Sequence, residues 1–333
     1  MEKISFHAVS LACEYSDIVT AVTHPAPFHA DEVFATAILS LLQPVVLFRT
    51  RDQEIIDAAS DNLCIVYDVG GVDDNALLRF DHHQRGFSRT RENDDIRLSS
   101  AGLIWQTYGR SILDALNCKP QYIEAVFKLV DIELIRSIDA ADNGQAAPTE
   151  QLTVSELMAL FNPNLHESEA WLGADATLGD DDAFLEAVNV AQQVMGRMLQ
   201  RGYALAHAKR LVEDAIIESD SRILELPHFC EGWAKVVARS PLKKAQHLLY
   251  GVYQAPSGDW RLQSIPSDPD DRFSQRHPLP EAWRGLRDEE LVRATGVQGA
   301  QFCHATGFIA VAATRDAILR LANLALATHK GEH

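Results

Sequence analysis

The segment LLRFDHHQRGF, residues 77–87, ends a short apolar run with one acid and two histidines. The apolar run has the composition of a buried strand, and Asp81, His82 and His83 follow where that strand would end. Burying ionisable groups is costly unless partners balance their charge. The tripeptide therefore predicts one wall of a polar site at the tip of a strand.

Strand-like and helix-like patterns alternate around this segment. Strand-like stretches are DIVTAVTH (17–24), PVVLFRT (44–50), LCIVYDVGG (63–71) and LLRFDHH (77–83), and helical spacing occurs over 31–42 and around 52–60. Apolar strands separated by helices are typical of βαβ units in a parallel sheet covered on both faces. Ligands of such sheets bind beyond the carboxyl ends of the strands.

The pattern turns helical from Ser99 and stays so for more than a hundred residues. Residues 99–117 begin with two serines suited to N-capping, and residues 121–144 end at a glycine. Further helices are predicted over 150–161 and 180–219. Short apolar segments return after residue 220, and an amphipathic helix over 314–328 follows them.

These patterns predict an α/β fold in three parts. We expect an N-terminal parallel-sheet domain at 15–150, a helical linker region with a long connecting helix at 151–220, and a smaller C-terminal α+β domain at 221–330.

The composition limits the partners that this chain can bind. Its 333 residues carry a formal net charge of −17. Such a negative charge is poorly suited to a protein that wraps long nucleic acid, because binding the phosphates requires clustered Lys and Arg. From residue 255 onward, 9 Lys and Arg stand against 10 Asp and Glu, which leaves 21 against 37 in the first 254 residues. A cluster of arginines in the last quarter is therefore a candidate local anion site.

The same sequence gives expectations about location. No apolar stretch approaches the roughly 18 residues of a membrane span, and residues 1–17 lack the pattern of a secretory signal. The five cysteines are odd in number and form no C-x-x-C pair, so we expect reduced thiols. We predict a cytoplasmic protein with no membrane partner.

Three of the predicted strands end in residue types that bind metals. The first is followed by His24, His29 and Asp31, the next by Asp68, and the last by Asp81, His82 and His83. In a parallel sheet these strand ends are neighbours, so the seven side chains would converge on one crevice. Because a group of buried acids is costly without cations, the convergence predicts a metal site.

A fourth segment, SIDAADNG, adds two more acids. Asp139 and Asp142 lie three residues apart at the last turn of a predicted helix and face the same way. Acids are unfavourable at this end of the helix dipole, and a nearby dication would offset that cost. Oxygen and imidazole ligands without thiolates suit Mn²⁺ or Mg²⁺, and five or more ligands could hold two ions. Two such ions indicate hydrolysis of a phosphoester.

Seven stretches together resemble the DHH phosphoesterase superfamily and, within it, the melanocyte-proliferating-gene (Myg) family of metal-dependent exonucleases. The stretches span residues 23–309 and are THPAPFHADE, VYDVGG, FDHHQRGF, LSSAGLIW, DAADNG, PLPEAWRGLRDEEL and FCHATGFI. The resemblance implies that residues 15–150 form a DHH-type metal-binding phosphoesterase domain.

The resemblance also implies a set of metal ligands. His24 and Asp31 would hold one ion, Asp68 would bridge both ions, and His82 would bind the second. Asp142 would be the fourth-motif ligand, with Asp139 as the competitor. His29 stands where many DHH enzymes have an aspartate, so it is either a ligand or only a neighbour.

Further roles follow from the same resemblance. His83 would face the phosphate and Asp81 would orient His82. Ser99 and Ser100 would offer hydroxyl and N–H groups to phosphate, although plain N-capping explains them equally well. A second domain would present more phosphate-binding residues across a cleft, namely Arg276, Arg284, Arg287 and His304, with Arg315 as a weaker candidate.

These inferences lead to one main hypothesis and two alternatives. The main hypothesis is a 3′-to-5′ exonuclease on RNA or short oligonucleotides that uses a pair of Mn²⁺ or Mg²⁺ ions. The first alternative is a phosphohydrolase of small molecules such as a dinucleotide, a phosphoadenosine or polyphosphate. The second is a catalytically silent metal-binding protein. The sequence leaves the oligomeric state open, a homo-oligomer among the options.

Overall fold

A computed structural model describes residues 4–16, 18–61, 64–164, 176–271 and 274–329 of the chain. The chain divides into two compact units, Met1–Tyr203 (unit 1) and Ala204–His333 (unit 2). Each unit contains one β-sheet with helices packed on it, so the predicted mixed α/β class is confirmed. The three-part domain division with a separate linker region stays a prediction.

The sheet of unit 1 is built from six of the described strands. They are β1 (Val9–Leu11), β2 (Ala21–Thr23), β3 (Val45–Arg49), β4 (Ile65–Tyr67), β5 (Asp73–Asp74) and β6 (Arg79–Phe80), in the order β1-β3-β2-β4-β6-β5. Only the edge pair of β5 with β6 is antiparallel among these pairings. As predicted, the carboxyl ends of β2, β4 and β6 are therefore adjacent.

Helices cover this sheet and fill most of unit 1. They are α1 (Ala30–Leu39), α2 (Gln53–Asp61), α3 (Ser100–Ala115), α4 (Pro120–Val130), a π-helical turn (Asp131–Ile135), α5 (Arg136–Asp142), α6 (Val154–Ala159) and α7 (Ala176–Glu218), which ends in unit 2. All ten residues of α1 are buried, and its main neighbour is α3. The acids in its first turn are therefore held inside the protein.

Several element boundaries differ from the predicted ones for local reasons. The helix predicted over 150–161 begins only at Val154, because Thr153 and Glu156 form a capping box. The strand predicted over 17–24 is shortened to Ala21–Thr23. Positions 17 and 63, where two predicted strands begin, lie outside the described residues.

Unit 2 contains a mixed sheet and a helical layer. Its strands are β7 (Ile223–Glu225), β8 (Tyr250–Gln254), β9 (Trp260–Ser264), β10 (Ala300–Cys303) and β11 (Ile309–Ala312), in the order β10-β11-β9-β8-β7. Its further helices are α8 (Trp233–Arg239), α9 (Lys243–His247), α10 (Asp288–Thr295) and α11 (Arg315–His329). The apolar segment AKVVARS belongs to α8, where Trp233 packs against Gly251 and Tyr253.

Among the described residues, no helix combines the length and apolarity needed to cross a membrane.

Candidate metal centre

Neighbouring strand ends of unit 1 deliver the first side chains of the candidate centre. His24 follows β2, Asp68 follows β4, and the Asp81-His82-His83 segment follows β6. Asp68 has a left-handed backbone with φ of 58°, a conformation that aspartate tolerates better than most residues. His24, Asp68, Asp81 and His82 are all buried. The sheet thus brings together the side chains that its topology was predicted to bring together.

The first turn of α1 adds two buried acids. The N–H of His29, at the N-cap, donates to both carboxylate oxygens of Glu32, at 2.8 and 2.9 Å. Asp31 and Glu32 are both 0% exposed. Sequence reasoning missed Glu32. An acid three residues after an N-cap is a known capping pattern, and it predicts that the Glu32 side chain folds back towards the N-terminus of the helix.

One half of the centre is organised around His24. Its Nε2 lies 3.0 Å from Asp68 Oδ2 and 3.2 Å from Glu32 Oε1. Its Nδ1 lies 2.6 Å from the carbonyl oxygen of Pro25, which places the Nδ1 proton on that bond. Nε2 is therefore the atom that faces the carboxylates and can carry either a proton or a metal ion.

The other half is organised around His82. Its Nε2 lies 3.1 Å from Asp142 Oδ2, 3.3 Å from Asp68 Oδ1 and 3.7 Å from Asp31 Oδ2. Burial opposes a charge on this imidazole, but the adjacent carboxylates of Asp142 and Asp68 outweigh burial and raise the pKa of His82 to about 10. The two oxygens of Asp68 thus face different histidines.

The carboxylates of the centre lack enough positive partners. Neither oxygen of Asp31 receives a hydrogen bond from the described residues, although both are buried. Burial and the nearby charges of Asp68 and Asp142 raise the pKa of Asp31 well above its usual value. Burial and Asp68 also raise the pKa of Glu32, to about 8. Such a site fits a bound cation, which would supply the missing charge.

Among the residues that the structure describes, three overlapping groups of side chains could hold a metal ion. Within each group, one ligand atom from every residue lies within 4.8 Å of the others. The groups are His24, His29, Glu32 and Asp68; Asp68, Asp81, His82 and His83; and His29, Asp31 and Asp142. Imidazole nitrogens and carboxylate oxygens form the donor set, which suits a divalent cation.

Asp139 and Asp142, which the sequence could not separate, have different surroundings. The Asp139 carboxylate accepts hydrogen bonds from Ser99 N (3.0 Å), Ser99 Oγ (2.7 Å) and Gly102 N (3.1 Å). Its other oxygen lies 2.6 Å from Arg91 Nη2. Asp142, in contrast, lies beside His82. Of the two acids, only Asp142 belongs to the described groups that could hold a metal ion.

Asp81 and His83 form a hydrogen-bonded pair at the edge of the centre. Asp81 Oδ1 accepts from His83 Nδ1 at 2.8 Å, and Asp81 Oδ2 accepts from Gly71 N at 2.5 Å. Asp81, expected to orient His82, accepts a hydrogen bond from the His82 backbone N–H at 2.7 Å, and its hydrogen bond to an imidazole goes to the ring of His83. The His83 side chain is 60% exposed, and because Asp81 binds its Nδ1, Nε2 is the ring nitrogen left for a ligand.

Ser99 and Ser100 support carboxylates instead of lying on the surface. Both residues are fully buried. Ser99 binds Asp139, and the Ser100 hydroxyl lies 3.2 Å from Asp68 Oδ1 and 3.0 Å from the Phe80 carbonyl oxygen. Ser99 is the N-cap residue of α3, but its side chain makes no capping bond to that helix.

The predicted phosphate-binding residues of unit 2 have various partners within that unit. Arg276 donates to the carbonyl oxygens of Ala245 and Leu248, and Arg284 Nε donates to that of Leu279. The Arg287 guanidinium lies over the Phe302 ring at 4.4 Å, and His304 Nδ1 lies 3.0 Å from Thr306 Oγ1. Arg315 forms an ion pair with Glu225, in which Arg315 Nη2 lies 2.7 Å from Glu225 Oε2.

The mainly parallel sheet and the histidine–carboxylate cluster at its strand ends define an α/β protein with a candidate divalent-metal centre. The model of the MYG1 exonuclease family, described as an uncharacterised protein family (UPF0160), matches residues 20–326. The chain belongs to this family, which confirms the predicted resemblance at that level.

Relatives from two yeasts and from human match almost the whole chain. A MYG1 protein of Schizosaccharomyces pombe is 34% identical over 93% of this chain and 98% of its own length. The MYG1 exonuclease of Homo sapiens is 34% identical over 92% of this chain and 85% of its own length. A MYG1 protein of Saccharomyces cerevisiae is 33% identical over 92% of this chain and 95% of its own length. No solved structure matches the chain significantly.

Proposed function

We propose that this protein is a metal-dependent phosphodiesterase of the DHH type that removes nucleotides from the 3′ end of RNA or short oligonucleotides. The observation that carries the proposal is the buried Asp31 carboxylate, whose two oxygens receive no hydrogen bond among the described residues while His24, Asp68, His82 and Asp142 surround the same site. The human relative is named MYG1 exonuclease, which supports nuclease chemistry. The cytoplasm remains the predicted location.

The ligands divide into two overlapping sets. As the resemblance implies, His24 and Asp31 would hold one ion, His82 and Asp142 would hold the other, and Asp68 would serve both. Asp31 also lies 3.7 Å from His82 Nε2 and shares a group with His29 and Asp142, so it could contribute to the His82 side as well. His29 and Glu32 are additional candidates on the His24 side. Bound Mn²⁺ or Mg²⁺ would activate water and neutralise charge on the phosphate oxygens.

The chain's own residues would bind and orient the substrate phosphate. Asp81 holds the proton of His83 on Nδ1, which aims the exposed Nε2 outward. We assign His83 to the phosphate or the leaving oxygen, where Nε2–H of the protonated ring would donate a hydrogen bond. Ser99 and Ser100 would act indirectly, by fixing Asp139 and Asp68. Arg276, Arg284, Arg287, His304 and Arg315 remain predicted phosphate contacts.

The acidic composition favours short substrates over long duplexes. The first 254 residues carry 21 basic against 37 acidic side chains, so a long polyanion would be repelled. The same observation keeps a small-molecule phosphohydrolase as the second candidate function.

Substrate profiling tests the proposal. Purified protein with Mn²⁺ is incubated with 5′-labelled RNA, 5′-labelled DNA, dinucleotides and pyrophosphate, beside the Asp68→Asn and His82→Ala variants. We expect stepwise shortening of RNA that both substitutions abolish. Turnover of pyrophosphate without RNA decay would favour the second candidate. A lack of metal-dependent turnover of any substrate would leave a catalytically silent metal-binding protein.

A further inference from the structure

The loop at residues 24–29 joins β2 to α1 and supplies His24 and His29 to the candidate metal centre. Phe28, next to His29, is completely buried. Asp31 and Glu32 follow directly in the first turn of α1. A contact that holds the backbone of Phe28 in place therefore also determines the positions of His29, Asp31 and Glu32.

The side chain of Asn162 holds that backbone at two points. The Phe28 N–H donates to Asn162 Oδ1 at 2.9 Å, and Asn162 Nδ2 donates to the Phe28 carbonyl oxygen at 2.7 Å. A buried backbone needs both groups satisfied, and an amide offers one acceptor and a donor in a single short side chain. Asn162 therefore makes the two backbone hydrogen bonds that a neighbouring strand would make to Phe28, although it lies 134 residues away in the sequence.

Arg49 holds the other end of the same loop. Its Nε donates to the carbonyl oxygen of His24 at 3.2 Å, and its Nη1 lies 2.6 Å from Asp180 Oδ2. Its guanidinium lies 4.5 Å from the centre of the Phe184 ring, which in turn meets the Phe28 ring edge to face at 5.4 Å. The Arg49 side chain is only 3% exposed. Both ends of the loop are therefore bound by side chains from outside it.

We infer that Asn162 and Arg49 are positioning residues of the candidate metal centre, an inference that rests on the proposed metal site. They act through the backbone of residues 24–28. Of the described hydrogen bonds, those of the Asn162 side chain go only to Phe28, while the Asn162 N–H donates to the Ala159 carbonyl oxygen. Residues that orient metal ligands typically affect metal affinity by about 10- to 100-fold, and we expect an effect near the lower end because Asn162 acts through the loop.

The test uses the full chain and two readouts that need no substrate. Asn162→Ala removes both bonds, and the nearly isosteric Asn162→Asp keeps an acceptor but loses the donor to Phe28. We expect faster deuterium exchange in the peptide covering residues 24–32 and about tenfold weaker Mn²⁺ binding by calorimetry. Both variants should keep the far-ultraviolet circular dichroism of the wild type.

Gln192→Ala is the matched control. Gln192 Nε2 donates a hydrogen bond to Ser40 Oγ at 3.0 Å. This side-chain amide, like that of Asn162, forms a long-range hydrogen bond, but it connects α7 to the opposite end of α1. The control should leave exchange at 24–32 and Mn²⁺ affinity unchanged.

Unchanged exchange or unchanged Mn²⁺ affinity in both Asn162 variants would overturn the inference, as would an equal loss of affinity in Gln192→Ala. A wild-type protein that binds Mn²⁺ but hydrolyses no phosphodiester would refute the proposed nuclease function alone.

Discussion

At the scale of single residues, Asp68 connects the two halves of the candidate centre. Its Oδ2 lies 3.0 Å from His24 and its Oδ1 lies 3.3 Å from His82. Burial works against ionisation, but the hydrogen bond with His24 and the adjacent His82 imidazole hold the pKa of Asp68 well below its usual value. Asp68 is thus a permanent anion between two imidazoles, which is what a carboxylate shared by two cations requires.

Two acids three residues apart should respond differently to the same substitution. Asp142→Asn should weaken Mn²⁺ binding by at least about tenfold, because Asp142 faces His82. Asp139→Asn should instead lower the free energy of unfolding by about 3 kcal/mol, because it breaks a buried ion pair with Arg91. Calorimetric Mn²⁺ titration and urea unfolding in EDTA measure the two effects.

Each of these variants is the control for the other. If Asp139→Asn lost as much Mn²⁺ affinity as Asp142→Asn while its urea midpoint stayed at the wild-type value, the assignment of the two acids would have to be exchanged.

The pair of Asp94 and Arg136 should make stability depend on acid pH. Arg136 Nε and Nη2 lie 2.5 and 3.1 Å from the Asp94 oxygens, and this hydrogen bonding lowers the pKa of Asp94 to about 2. A carboxyl group with a depressed pKa stabilises the fold above its unfolded pKa of roughly 4 and loses that effect as pH falls to about 2. Arg136 is 42% exposed, so the effect should stay below about 1 kcal/mol.

Urea unfolding of the wild type and Asp94→Asn at pH 6, 4 and 3 tests this dependence. The difference in the free energy of unfolding should be present at pH 6 and shrink towards pH 3. A difference that stayed constant over this range would show that the pair does not titrate as described.

Sequence patterns predicted the side chains that strand ends deliver, and little of what surrounds them. His24, Asp68 and His82 could be grouped because parallel strands end side by side. Glu32 could not, because a capping acid and a site acid look the same in sequence. Asn162 lies 134 residues from its partner Phe28, and no local pattern reports such a contact.

At the scale of elements, the close approach of α3 to α5 depends on a glycine. A Cβ atom at Gly102 would lie 2.6 Å from Asp139 Oδ1 and 2.8 Å from Asp139 Cγ. The Gly102 N–H also donates to this carboxylate. The absence of a side chain therefore lets a carboxylate of α5 reach the first turn of α3.

Gly102→Ala should therefore destabilise the protein. Alanine normally stabilises a helix interior by up to about 1 kcal/mol relative to glycine, but overpacking here should cost about 1–3 kcal/mol and displace Asp139. Gly196→Ala is the control, because its Cβ would meet only the Phe6 ring, at 3.3 Å. Urea unfolding should show a loss for Gly102→Ala and a change within about 1 kcal/mol for Gly196→Ala. Equal stability of the two variants would contradict the steric argument.

The helix predicted over 121–144 shows where pattern reading stops. It exists, but a π-helical turn at Asp131–Ile135 separates α4 from α5, and Ile132 in this turn is 61% exposed. Apolar spacing predicts that a helix forms and which face is buried. It does not predict the one extra residue of a π-helical turn, because the apolar residues in the α-helical turns before and after it still follow the 3.6-residue period.

At the scale of the whole molecule, acidic side chains are concentrated in the candidate metal centre, where a cation is expected. The centre gathers Asp31, Glu32, Asp68 and Asp142, all in unit 1. The two histidines that face them cannot balance four ionised carboxylates, and burial with the charge of Asp68 raises the pKa of Asp31 and of Glu32 when no cation is bound. The folded protein without metal therefore contains a destabilising cluster, whose cost the rest of unit 1 offsets.

Metal should consequently stabilise the entire fold and not only complete a site. An ion that binds the folded state alone adds about 2.7 kcal/mol at a hundredfold excess over its Kd, so the urea midpoint should rise in Mn²⁺ and return to its metal-free value in EDTA. Asp68→Asn should lose this response, since it removes the carboxylate that faces both histidines. Asp74→Asn, an exposed acid of β5 outside the described metal-binding groups, should keep it. An equal Mn²⁺ response in the wild type and Asp68→Asn would mean that the ion binds elsewhere on this acidic chain.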